Sequence, residues 1–348
     1  MNIVSVARAF PPHYYDQQTL LAALKERFGG RPEAIRRMDN LHRNVLVGGR
    51  HLALPLEAYA RLEHWGQAND AWIQVAGQIA AEALEGALER AGLEPGDLSA
   101  LFFASVTGVA TPSIDARLMN QLPLSPHLKR IPIFGLGCVA GAAGLARAAD
   151  YVRAFPGQVA ALICVELCSL TLQWKDLSVA NQIATGLFGD GGAAALVAGR
   201  ERKLPGPRIV ATRSIFYPKS LDVMGWKISG NGFGLVLSAE VPAMVRCHLR
   251  EDVDSFLSAH HLSRQDMARW ICHPGGPKVL RAVQQALEIP RAALDGTWQS
   301  LARVGNLSSA SVLLILEDNM KEPPPPGSHG LLSAMGPGFC TELVLLRW

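Results

Sequence analysis

Short, continuous apolar runs alternate with longer helical patterns along most of the chain, and this alternation constrains the fold more than any other feature. LSALFFASVTG (98–108) and VAALICVEL (159–167) are apolar throughout, at the length of a strand buried on both faces. Residues 131–137 read as a short strand ending in glycines, and LFGDGGAAALVAG (187–199) as a turn followed by a strand. Between them lie helical patterns: residues 16–28, and residues 68–92 with Asn69 or Asp70 as a starting cap and Gly92 near the end. Residues 138–153 form a further helix, rich in small side chains.

At 200–208 the chain reads RERKLPGPR, charged and proline-bearing, and this is taken as the seam between two halves. The second half repeats the grammar. A helix is expected over about 241–260, a strand over 268–276 ending in Gly-Gly, and a helix over 277–289 with proline in its first turn. Residues 308–320 read as a helix, although their apolar run also suits a strand; the prolines at 323–326 read as a stiff loop. Two strands joined around Gly336-Pro337-Gly338 close the chain. The expectation is an α/β protein with mainly buried sheets, in two halves of similar pattern. A length of 348 residues suits two domains of about 150 each.

Composition narrows the function. With 49% hydrophobic and 18% charged residues, the chain can bury a large core. A formal charge of +3 over 348 residues argues against a nucleic-acid partner, which needs concentrated Lys and Arg. No run reaches the ~18 apolar residues of a spanning helix, and the N-terminal stretch lacks the regions of a signal peptide. The six cysteines (138, 164, 168, 247, 272 and 340) form no CxxC pair, so a reduced, cytoplasmic protein is expected. Cys164 and Cys168 have no second pair to complete a metal site and read as structural thiols; no metal is expected. Walker, GxGxxG and HExxH motifs are absent.

Three residues stand out by context. Cys138 sits where a strand ends and a helix begins, flanked by Gly135, Gly137 and Gly141. A thiol there feels the positive end of the helix dipole, which favours thiolate; it can equally be a buried small residue in a packing helix. His273 ends a short strand and precedes Pro-Gly-Gly-Pro, at the strand mouth where α/β sheets place ligand sites. Asn306, in VGNLSSAS, is either a cap or an amide donor to a developing oxyanion. Cys, His and Asn, each at a junction of elements, form a candidate nucleophilic site.

The motifs GLGCVAGAAGLARAADYV, LFGDGGAAA, CHPGGPKVL, GNLSSASVLLIL and MGPGFCTELVLL occur in one order from about residue 100 onward. In these the chain resembles the type III polyketide synthases (chalcone synthase-like enzymes) of the thiolase superfamily. The resemblance implies a thiolase-like αβαβα layered fold with two pseudo-equivalent halves, 1–203 and 204–348, and a homodimer. It implies a catalytic set of Cys138, His273 and Asn306, with Phe188 as an aromatic gate beside the thiol. Gly336, Pro337 and Gly338 would shape the cyclisation cavity, and Thr111 would reach across a dimer interface. Cavity walls would include Cys168, Thr171, Trp226, Leu235, Leu237 and Ser308.

The implied reaction is iterative decarboxylative condensation of malonyl-CoA onto an acyl-CoA starter held as a Cys138 thioester. A His273 imidazolium would keep the thiolate nucleophilic. CoA thioesters are the substrates, and no cofactor is implied. CoA phosphates would meet Arg36, Arg37 and Arg43, grouped in sequence with Arg50, and the Gly275, Gly276 and Lys278 segment. Leu41 stands where the family carries a lysine. Cys168 and MGWKISGNGFGLVLS resemble microbial members, which suggests an aliphatic, medium- or long-chain starter, and closure to a pyrone, resorcinol or phloroglucinol. Two alternatives remain: a ketoacyl synthase III-like enzyme performing one condensation, and a non-catalytic acyl-CoA-binding protein on the same scaffold.

Overall fold

A computed structural model describes residues 1–27 and 32–348. In chain order the strands are β1 (Asn2–Ala9), β2 (His13–Asp16), β3 (Gly49–Leu52), β4 (Leu98–Ala104), β5 (Lys129–Ile133), β6 (Val159–Leu167) and β7 (Asp190–Ala198). They continue with β8 (Arg208–Phe216), β9 (Met224–Ser229), β10 (Gly232–Leu237), β11 (Met267–Cys272), β12 (His329–Gly336) and β13 (Cys340–Arg347). The helices are α1 (Gln17–Arg27), α2 (Pro32–Asn44), α3 (Leu56–Tyr59), α4 (Trp65–Ala91), α5 (Ile114–Gln121) and α6 (Ala140–Ala154). The rest are α7 (Val179–Leu187), α8 (Val241–Ser258), α9 (Pro277–Leu287), α10 (Asp295–Val304) and α11 (Ser311–Lys321).

One mixed, nine-stranded sheet runs β11-β12-β13-β8-β1-β7-β6-β4-β5. β4 pairs in parallel with β5 and β6, and β11 with β12; the other neighbours are antiparallel. The two wings meet at a thin join, where β1 pairs with β8 at Asn2 and Arg208 and the Ile209 amide donates to the Met1 carbonyl at 3.1 Å. The segment read as a seam leads from β7 to β8 through a 3-10 turn, Arg200–Arg202.

Three apolar clusters define the layers. α4 packs on one face of β1, β6 and β7 through Ala76, Ile79, Ala83 and Leu84. α8 and α9 pack on the outer face of the β11–β13 wing with Val245, Leu249, Leu280 and Val283. α6 and α11 lie between the wings: α6 touches β6 and β7 on one side and β12 and β13 on the other, and α11 touches β1 and β11. The stacking is helix, sheet, helix, sheet, helix, the thiolase-like αβαβα order. A helix between two sheets has no wet face. Residues Ser311–Glu317 are accordingly all buried, which is why the sequence of α11 also suits a strand.

Small residues let the middle layer close. A Cβ at Gly141 would come 2.3 Å from the Ser309 carbonyl, and one at Gly144 would come 2.5 Å from a Leu162 methyl. Both distances are far below contact, so glycine is required for α6 to reach the start of α11 and β6.

Several boundaries differ from the sequence reading; the strands expected over 98–108 and 268–276, for instance, end at Ala104 and Cys272. α4 starts at Trp65 with His64 as its cap position, because Asn69 is engaged elsewhere: its side chain exchanges two 2.9 Å hydrogen bonds with the Val109 backbone. β5 ends at Ile133, where the chain turns through Gly135 and Gly137, both at positive φ. The helix expected over 308–320 is a 3-10 turn, Ser308–Ala310, followed by α11. Of the helix expected over 16–28, Gln17–Arg27 is helical and Phe28 lies outside the described residues.

Candidate active site

Four elements deliver the three candidate residues to one place. Cys138 lies in the 3-10 turn Gly137–Val139 that feeds α6, and is 8% exposed. Gly137 must be glycine twice over: its φ is +55°, and a Cβ would strike Pro337 at 2.8 Å. The Gly336-Pro337-Gly338 loop is thus packed directly on the cysteine turn. His273 follows β11, and its amide donates to the Ser333 carbonyl of β12 at 2.9 Å. Asn306 lies where the chain leaves α10, and pairs with Phe188 in an isolated parallel bridge. The Asn306 amide donates to the Leu187 carbonyl at 2.9 Å, and the Gly189 amide donates to the Asn306 carbonyl at 3.0 Å.

The side chains are oriented by short-range bonds. Asn306 Oδ1 accepts from the Ser308 amide at 2.8 Å, which leaves Nδ2 as the side chain's remaining donor group. Ser308 Oγ stands 3.5 Å from Cys138 Sγ. Both ring nitrogens of His273 are buried without a hydrogen-bond partner. Burial pushes the Cys138 thiol up to about 12 and holds the His273 imidazole down at about 3. Burial thus opposes both charges of the thiolate–imidazolium pair expected from sequence. A proton passed from Sγ to the ring would create both charges together, each offsetting the other's burial cost.

A cavity of about 1350 Å³ collects Cys138, His273, Asn306 and Phe188 on its wall. The expected walls Cys168, Thr171, Trp226, Leu235, Leu237 and Ser308 line it as well. So do Pro337, Gly275, Gly276 and Lys278. Gly336 and Gly338 stand behind Pro337; Gly336 packs so tightly that a Cβ would come 2.7 Å from the Leu136 carbonyl. Thr111 is exposed and lies outside this chain's own cavity, just before a cis bond to Pro112.

The expected arginine group does not hold together. Arg36, Arg37 and Arg43 are exposed on α2 and lie outside the cavity wall. Arg37 instead donates to Gln182 Oε1 at 2.7 Å and to the Leu177 carbonyl at 2.6 Å, tying α2 to α7. Arg50 is 2% exposed and lies inside the protein on the wall of the cavity. The exposed cations that line the cavity are Arg27, Lys278 and Arg281. Sequence reasoning missed Arg27 and Arg281, although Arg281 follows Lys278 by three residues and so shares its helix face.

Glu166 was also missed. It is a lone acid in the apolar run of β6, which was the available signal. It accepts from Ser309 Oγ at 2.5 Å, Thr107 Oγ1 at 2.9 Å and the Val106 amide at 3.1 Å. Burial pushes its carboxyl up to about 7. Among the described residues, no cluster of three or more His, Cys, Asp or Glu is arranged to hold a metal ion. Among the described residues, no helix is long and apolar enough to cross a membrane.

Sequence models of the chalcone and stilbene synthases match the chain in two parts, the N-terminal domain over residues 3–201 and the C-terminal domain over 208–348. The chain belongs to the chalcone and stilbene synthase family. It is similar to the 1,3,6,8-tetrahydroxynaphthalene synthase of Streptomyces peucetius subsp. caesius, at 50% identity over 100% of this chain and 93% of that one. It is 36% identical to a putative chalcone synthase of Bacillus subtilis (strain 168), over 99% of this chain and 98% of the other. Among solved structures it matches the 1,3,6,8-tetrahydroxynaphthalene synthase of Streptomyces coelicolor A3(2), a bacterial type III polyketide synthase. That match has a TM-score of 0.93 and 30% identity, covering 100% of this chain and 99% of that one. As a type III polyketide synthase, the protein is a condensing acyltransferase, and the cavity just described is its candidate active site.

Proposed function

We propose that the cavity performs iterative decarboxylative condensation of malonyl-CoA on a Cys138-bound acyl group. The observation that carries this reading is that Cys138, His273, Asn306 and Phe188, far apart in sequence, line one largely apolar cavity. Cys138 Sγ attacks the carbonyl of an acyl-CoA as its proton passes to His273; CoA leaves and a thioester forms. Malonyl-CoA then loses CO₂, and the electrons of the broken C–C bond move onto the thioester oxygen. His273 and Asn306 Nδ2 donate to that enolate oxygen. The enolate carbon attacks the Cys138 thioester, expelling the thiolate and lengthening the chain by two carbons. Departure of CO₂ generates the carbanion, so this chemistry needs neither a carboxylate base nor a metal or organic cofactor. Phe188 narrows the approach to Sγ, and Arg27, Lys278 and Arg281 receive the CoA phosphates.

For the product, the reading favoured is a malonyl starter extended by malonyl units to 1,3,6,8-tetrahydroxynaphthalene. Its support is the 50% identity, end to end, to a synthase of that name. Five malonyl-CoA give that product by releasing five CoA thiols, five CO₂ and one water. The large indole of Trp226 on the cavity wall suits a short starter. A longer aliphatic starter closing to a pyrone, resorcinol or phloroglucinol is a second reading. It is favoured by the apolar wall that Leu20, Leu24, Leu52 and Leu56 add to the cavity. We read the active form as a cytoplasmic homodimer, since Val109 and Phe134 are 39% and 51% exposed in the same half as Thr111.

The test is incubation with malonyl-CoA alone and with a panel of short and long acyl-CoAs, without carrier protein, followed by mass analysis. A naphthol from malonyl-CoA alone is expected. Acyl-primed pyrones or resorcinols with no naphthol would overturn the malonyl starter. No polyketide under any condition, with a single condensation on carrier protein, would point to a ketoacyl synthase III-like reaction. Acyl-CoA binding without turnover in either assay would mark a non-catalytic protein.

A further inference from the structure

Arg50 is a fully charged residue type at a place where charge is costly. It sits on β3 at 2% exposure, and its Nε and Nη1 have no hydrogen-bond partner. Its stem runs against two glycines. A Cβ on Gly189 would meet Arg50 Cβ at 3.3 Å, and one on Gly305 would meet Arg50 Cδ at 3.4 Å. Those glycines flank Phe188 and Asn306, the two residues joined by the isolated bridge. Its guanidinium meanwhile donates from Nη2 to the Thr185 carbonyl at 2.6 Å, in the last turn of α7 just before Phe188.

The charge has an acid in its neighbourhood. Burial lowers the Arg50 guanidinium to about 10, and Asp190 is the leading group that opposes this. Asp190 follows Gly189 directly. It is anchored in turn by the Ser169 amide at 2.8 Å and the Ala53 amide at 2.6 Å. One side chain therefore grips the end of α7 and runs close to both glycines.

We propose that Arg50 is a positioning residue that holds the crossing of the 187–190 and 304–306 segments, and thereby aims the Asn306 amide. This rests on the proposed role of Asn306 as a donor to the enolate. Neither the stem contacts nor the Thr185 bond of Arg50 involves the Cys138 turn. Its loss should therefore fall on malonyl decarboxylation and spare acyl loading.

The test compares Arg50→Met, which keeps the stem and removes the fork, with Arg50→Lys, which keeps the charge. Malonyl-CoA decarboxylation and single-turnover acylation of Cys138 are measured separately, in the parent and in the Asn306→Ala background. Arg50→Met is expected to lower kcat for decarboxylation about tenfold or more, within the range for a misplaced oxyanion donor, with loading and KM within about threefold. In the Asn306→Ala background the same change should cost less than about twofold, because the two act through one amide. Arg50→Lys should recover part of the loss, and it carries the same comparison if Arg50→Met does not fold. Hydrogen exchange should quicken over 187–190 and 304–306 ahead of the Cys138 turn. Equal loss of loading and decarboxylation, losses that multiply with Asn306→Ala, or unchanged exchange at the crossing would each overturn the inference. If Asn306→Ala itself leaves decarboxylation intact, the proposed role of Asn306 fails, while exchange still decides whether Arg50 holds the crossing.

Discussion

At the level of single residues, the site is governed by burial acting on groups that must ionise. Cys138 and His273 are each pushed toward neutrality by burial, so an ion pair between them has two burial costs to offset. With His273 in place, Cys138 is expected to react with iodoacetamide at a rate nearly flat from pH 6 to 8. In His273→Ala the thiol loses its counter-ion, burial dominates, and its pKa rises. Alkylation at pH 7 should fall about tenfold or more and climb with pH, as followed by mass spectrometry of the Cys138 peptide. Glu166 supplies a second expectation. Its folded carboxyl is raised from 4.5 to about 7. A carboxyl raised by folding favours the protonated native state, so its contribution is fully present below pH 4.5 and declines as pH climbs to 7. That decline is on the order of 3 kcal/mol. Glu166→Gln, which keeps an acceptor for Val106 and Thr107, should flatten this part of the urea-unfolding stability profile between pH 5 and 8. An equal slope in both proteins would show that other groups titrate there. The nucleophile, the histidine and the amide were legible from their junctions and motifs. The partner of Asn306 was not, because Phe188 and Asn306 meet only through a bridge between segments more than a hundred residues apart.

At the level of elements, the site depends on how closely α6 approaches its neighbours. Gly141 faces the Ser309 carbonyl and a Val312 methyl, with a Cβ placed 2.3 Å and 2.7 Å from them. Gly141→Ala must therefore separate α6 from the start of α11, next to Cys138 on one side and Ser308 on the other. A loss of about 1–3 kcal/mol is expected in chemical denaturation. Acyl loading should fall with it, since Ser308 carries the hydroxyl that contacts Sγ. The alternation of apolar runs and helical patterns placed the main strands and helices within a few residues. It misplaced the start of α4 because capping was judged from residue type alone. Asn69 has the chemistry of a cap, yet it is committed to Val109, a partner 40 residues away. The division of the arginines was hidden for a similar reason. Arg36, Arg37, Arg43 and Arg50 are neighbours in sequence, but α2 ends before Val45 and β3 turns Arg50 inward.

At the level of the whole molecule, the middle layer couples everything. α6 and α11 are each packed between the two wings, and the reacting residues stand at or near the ends of these buried elements. Walls reach the cavity from the main sheet and from a separate hairpin, with Cys168 and Thr171 following β6, and Trp226, Leu235 and Leu237 on the two-stranded β9–β10 sheet. The order of the layers could be anticipated from the family resemblance. The joined sheet could not, because the join is confined to a few bonds around Asn2 and Arg208, in two strands that carry no shared signal. The position of β1 also has a consequence for synthesis. This strand lies between β7 and β8, yet about 180 residues separate its end from the first of those partners. At 5–20 residues per second, the ribosome needs roughly 10–40 s to deliver that partner. Throughout that interval an apolar strand must stand unpaired, which makes the nascent chain a client for whatever shields hydrophobic segments during translation.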